Sequence, residues 1–106
     1  MVEIKESLKW TLKIAFIAFT ASGFMMFVLE ESLQMMSFGE FAYSSAKDWN
    51  GMEEHLKLHQ NAHDFASFMI NAFGWMNPLM YPAYLQYLEA DKAYIKAAYS
   101  RVRAKS

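Results

Sequence analysis

All three histidines of the chain fall in one nine-residue stretch, HLKLHQNAH, at positions 55, 59 and 63. Histidine is the side chain best suited to bind transition metals and to move protons near neutral pH. A spacing of four on a helix turns each residue only about 40° from the last, so His55, His59 and His63 share one face, about 6 Å apart along the axis. Two such imidazoles can hold one Zn²⁺ or Cu²⁺. Three on one straight helix do not converge on a single ion, because His55 and His63 stand about 12 Å apart. A metal site would need further ligands from Glu54, Asp64 or another subunit. The other reading is a polar face, packed on a partner or solvated. In that reading the row organises an outer contact surface, and a buried interface of neutral imidazoles should loosen in mild acid as they protonate.

The same face continues through Ser67, Asn71 and Gly74, a polar-to-small stripe, and Ala15, Ala18 and Ser22 form a comparable small seam on the first apolar segment. Polar and small residues in a membrane span normally face protein rather than lipid, so these six are expected interface residues. Nine methionines raise the question of copper(I), for which thioether is a soft ligand; methionine is more often an apolar gap-filler. Cysteine is absent, which removes disulfide, thiol and thiolate-metal chemistry together. There is no Ser/His/Asp grouping, glycine-rich phosphate loop or His-Glu-x-x-His. No catalytic residue and no cofactor bound by this chain are expected.

The elements that must position these residues are apolar and few. A chain of 106 residues makes one small domain, and 55% apolar content with 17% aromatic exceeds the roughly 45–50% apolar of average globular chains. Ile14 to Leu29 carries no charge, and Trp10 extends the run past a single Lys13 that can snorkel to the interface. That meets the requirement of about 20 mostly apolar residues for a crossing. Phe65 to Leu88 is a second charge-free run, interrupted by Asn71, Asn77, Gln86, Pro78 and Pro82. The two prolines should kink the helix or unwind a turn. A soluble bundle with two buried helices competes with this reading, and the mean hydropathy of +0.00 leaves it open. A secretory signal is a competing reading of the first run, which lacks a clear small-x-small cleavage site.

Charge sets the expected orientation. Residues 1–13 hold Lys5, Lys9 and Lys13; residues 30–64 hold seven acids against Lys47 and Lys57; residues 89–106 hold five Lys or Arg. The positive-inside rule places both termini in the cytoplasm and the acidic middle outside. Leu29, Leu33 and Met36 continue the first helix, with Gly39 a plausible stop. Asp48-Trp49-Asn50-Gly51 signals a turn. A helix then runs from Met52 towards the membrane and resumes after the prolines from Tyr84 to about Arg103, with Leu88, Ile95, Tyr99 and Val102 on one side. The expected fold is therefore all-α: a two-span transmembrane helical hairpin with a helical outer segment and a C-terminal cytoplasmic helix extension. It forms one membrane domain, with spans at about 10–29 and 65–88, an outer segment at 30–64 and a tail at 89–106. A net charge of −1 with no basic patch argues against nucleic acid.

The start VEIKESLKWTLKIAFIAF, the acidic aromatic middle and the tail GWMNPLMYPAYLQYLEADKAYIKA together resemble the small accessory X subunit of archaeal ammonia monooxygenase. The resemblance covers nearly the whole chain through overall character, without a signature motif. It implies a non-catalytic subunit in the cell membrane, held among larger integral-membrane subunits and lipid, with copper in the partner subunits. Two other functions fit the residues: a copper or zinc carrier using His55, His59 and His63, and a small homo-oligomeric transporter or channel with Asn71 and Asn77 along its path.

Overall fold

The computed structural model describes residues 2–105, all within three α-helices and their short connections. Helix α1, Val2–Ser45, is 44 residues long, about 66 Å at 1.5 Å per residue. Helices α2, Trp49–Phe73, and α3, Tyr81–Lys105, have 25 residues each. Helix α2 runs back along the C-terminal half of α1, and α3 reverses again beside α2. The result is a three-helix bundle at one end of a rod measuring 71 × 17 × 16 Å, with the N-terminal half of α1 extending from it alone.

Each turn follows from its residues. Helix α1 ends where Lys47 takes a left-handed conformation, φ 58°. Asp48 then caps α2 by accepting from the Gly51 backbone N–H at 3.0 Å, which satisfies one of the donors a helix start leaves open. Gly39 does not stop α1, as the sequence suggested. It sits inside the helix, where a Cβ would meet the His55 ring at 2.3 Å, so the glycine provides room for that imidazole.

The second apolar stretch, Phe65 to Leu88, is not one kinked rod. It divides into the end of α2, a single 3-10 turn over Gly74–Met76, a reversal at Asn77–Met80, and the start of α3. Asn77 organises the reversal. Its carbonyl accepts from Tyr81 N–H at 3.0 Å and from Met80 N–H at 3.2 Å, and its own N–H donates to Gly74 at 2.9 Å. The two prolines fall in the reversal and in the first turn of α3, where a missing N–H costs no helical hydrogen bond. Because α3 doubles back, the basic tail lies beside residues 30–64. Tyr94 reaches the Ser37 carbonyl at 3.4 Å, and Lys105 stacks over Trp49 at 6.0 Å.

The helices meet through rows spaced alternately four and three. In α2 the row is Met52, Leu56, His59, His63, Ala66 and Ile70; in α3 it is Tyr84, Leu88, Asp91, Ile95, Ala98 and Val102. This heptad spacing gives left-handed bundle packing. Two apolar clusters result. One joins Met26, Leu33, Ala66, Ile70, Tyr84 and Leu88; the other joins Met52, Leu56, Ala98 and Val102. Helix α1 contributes only its inner face. Its most apolar 18-residue window is 17% buried, which is not the burial of a soluble protein's core helix. Ile14, Phe16, Ile17, Phe24 and Phe27 are all exposed.

Candidate functional site

Between the two apolar clusters lies a layer of five ionisable side chains from all three helices. Glu40 of α1 takes His55 on one carboxylate oxygen and His59 Nδ1 on the other at 2.6 Å. His59 Nε2 faces Asp91 Oδ1 of α3 at 2.9 Å, and Asp91 Oδ2 faces His63 Nδ1 at 2.8 Å. The chain therefore alternates His55, Glu40, His59, Asp91, His63. Glu40 and His59 are fully buried, Asp91 and His63 nearly so; the outer end, His55, keeps 19% of its side chain exposed.

The tautomers follow from the partners. An ionised carboxylate only accepts, so each ring nitrogen facing one carries the proton. His59 faces carboxylates through both nitrogens, and only its doubly protonated form satisfies both. Burial alone would lower its pKa. The hydrogen bonds and charges of Asp91 and Glu40 outweigh burial and raise it to about 9. Every buried side-chain nitrogen and oxygen among the described residues has a partner, as a buried polar layer requires.

The histidine row was legible in the sequence, but its direction was not. The row points inward, joining α2 to α1 through Glu40 and to α3 through Asp91, instead of forming an outer contact surface. Glu40 and Asp91 are not marked as site residues by local spacing in the sequence. The signal that marks them is register: each acid stands where a heptad row calls for an apolar residue, Asp91 between Leu88 and Ile95, and Glu40 seven residues after Leu33. As arranged, the Nδ1 atoms of all three histidines and the Nε2 of His59 are engaged by carboxylates. No group of three or more His, Asp or Glu among the described residues is placed to hold one metal ion.

The other expected site residues divide. Gly74 is buried where a Cβ would meet the Tyr81 ring at 2.5 Å. Ser67 and Asn71 line a polar groove of about 380 Å³ between α2 and α3, with His63, Asp64, Glu89 and Lys92. Asn71 is bound within the chain: its amide donates to the Ser67 carbonyl at 2.8 Å, and Tyr81 O–H donates to its Oδ1 at 3.1 Å. Of the small seam on α1, Ser22 is buried, Ala18 half-buried and Ala15 exposed. The seam lies partly under the tip of the α2–α3 hairpin, where Asn77 donates to the Phe19 carbonyl at 3.2 Å and Gly23 leaves room for Asn77 and Met80.

No protein-family model, curated protein or solved structure matches this chain. Five interlocked groups with satisfied hydrogen bonds and little opening to solvent are suited to fixing the register of three helices.

Proposed function

We propose that the chain is a non-catalytic accessory subunit of a larger membrane assembly, crossing the bilayer once through α1. The observation that carries this reading is the exposed apolar surface of α1. It runs past the charge-free stretch that lipid can cover. Hydrocarbon about 30 Å thick accommodates Trp10 to Leu29, yet Met35, Phe38 and Phe41, beyond Glu30 and Glu31, are 73%, 75% and 68% exposed. Surfaces of that kind mark protein–protein contact.

The reversal at Asn77–Met80 supports a topology different from two full spans. Asn77 touches α1 at Phe19, the middle of the Trp10–Leu29 run. The hairpin of α2 and α3 then enters the bilayer from one side, reaches its centre and returns, with Asp64 and Glu89 near its entrance. Exposed Phe65, Phe68, Trp75 and Leu79 suit lipid or a membrane neighbour there. In this arrangement the basic tail and the acidic middle share one side, and residues 2–13 lie on the other.

The resemblance to the ammonia monooxygenase X subunit supports a copper-dependent membrane oxygenase as the host assembly, with copper held by the larger subunits. A metal carrier built on the histidine row draws no support from rings whose Nδ1 atoms face carboxylates. A channel draws none from Asn71 and Asn77, which are bound within the chain. Purification in mild detergent tests the reading. Larger membrane subunits should stay with this chain through size exclusion; a monodisperse monomer or homo-oligomer would overturn it.

A further inference from the structure

Helix α1 carries a second heptad row, opposite the one that seats α2. Trp10, Ile14, Ile17, Ala21, Phe24, Val28, Glu31, Met35, Phe38 and Ala42 follow the alternation four, three, four, three without a break, and every one is exposed. The row spans about 48 Å of helix. The buried residues Ser22, Met26, Leu33 and Glu40 lie on the other side of α1. This is the spacing by which α2 and α3 already pack, and on α1 it has no occupant within the chain. A period of 3.5 sustained over more than four heptads is a seam for another helix.

Nine of the ten row positions are apolar, and the tenth is Glu31. The ion pairs of the histidine–carboxylate layer do not take Glu31. Of the positions flanking the row, Thr11, Ala18, Met25, Ser32 and Gly39 on one side and Lys13, Thr20, Phe27, Gln34 and Phe41 on the other, Lys13 alone is a cation, and it lies 18 residues from Glu31. A second copy would lie parallel in a membrane and set Glu31 against Glu31 in one layer of the seam. Like charges facing each other in a closing interface select against that pairing.

We propose that this outer row docks an apolar helix of a different subunit, and that the helix carries a lysine or arginine opposite Glu31. The proposal rests on the accessory-subunit reading and specifies the contact surface and its partner. A single charge pair in an otherwise apolar seam fixes register and partner, as polar residues at heptad core positions do.

The test places a photo-crosslinking p-benzoylphenylalanine in place of Phe24, Phe38 or, as a control off the row, Leu58, in the full chain in its own membrane. Phe24 and Phe38 should link to one and the same helix of another subunit, with a Lys or Arg between the two linked sites. Glu31→Arg should lower both yields at least tenfold and Glu31→Gln less, with unchanged helix content by circular dichroism. Reversing the partner's cation should restore the Glu31→Arg yield. Adducts of twice the chain's mass that map to α1 would overturn the proposal. Lipid-only adducts at Phe38, or yields indifferent to Glu31→Arg, would do the same. If larger subunits still co-purify in those cases, only the docking face is wrong; if they never co-purify, the accessory reading falls with it.

Discussion

His59 is the residue on which the bundle turns. It stands between two buried carboxylates from two other helices and bridges both. Replacing it by Leu leaves Glu40 and Asp91 buried and facing each other. Loss of one member of a buried ionic group costs about 3–5 kcal/mol, so His59→Leu should unfold the bundle in detergent at markedly lower denaturant than wild type. His55→Gln, at the partly exposed end, should cost less than half of that. For His59 the expected pH dependence runs opposite to the mild-acid loosening the histidine row suggested. The His59 pKa is raised from 6.5 to about 9 on folding. Its stabilisation is therefore complete below about 6.5 and is lost as pH rises through about 9. Measured from pH 6 to 10, the stability difference between wild type and His59→Gln should shrink as pH rises. A difference that grew towards pH 10 would show that the imidazolium is not what holds the layer. Histidine spacing revealed that the three rings share a face, but whether that face turns outward or inward depends on acids 15 to 32 residues away, which local periodicity does not connect.

At the scale of elements, helix identity and much of the packing face were readable. Leu88, Ile95 and Val102 are buried on one side of α3, as their spacing implied, with Tyr99 half-buried beside them, and Leu33 continues the inner face of α1. What fell short was the reading of glycine and proline. Pro78 and Pro82 read as a kink or an unwound turn; the helix does unwind there, and with Asn77 available to close the turn the chain reverses completely. Gly39 read as a helix stop, but a glycine within a helix also serves where another side chain lies against the backbone. That second role makes a prediction. Gly39→Ala alone should destabilise the bundle by about 1–3 kcal/mol, because the new methyl displaces the His55 ring. In a His55→Ala background the same change should be neutral or stabilising by up to about 1 kcal/mol, since alanine is the better helix former. A double-mutant cycle by chemical denaturation measures the coupling; additive effects would show that Gly39 and His55 do not compete for space.

For the whole molecule, composition made a helical chain with at least one membrane-length apolar segment legible. The arrangement of the second segment was not, because an apolar run of that length reads the same whether it crosses or enters and returns. The side of the tail decides. The chain lacks cysteine, so single cysteines report cleanly. Cysteines at Ser45 and Ser100 should react with an impermeant maleimide from one side of a sealed membrane, and a cysteine at Ser7 from the other. Ser100 labelling together with Ser7, and apart from Ser45, would restore two full crossings and require the bundle seen here to open.

The unequal lengths of the helices have a consequence for the surrounding bilayer. If α1 crosses and the hairpin stops at Phe19, the protein occupies the cross-section of three helices in one leaflet and of one helix in the other. Lipid areas in the two leaflets must then differ around it, or something must fill the space beneath the hairpin tip. The turn of the hairpin carries exposed Trp75 and Leu79. A lone copy would act as a wedge that favours curvature. Within an assembly the same taper forms a recess into which a neighbour with the opposite taper can fit.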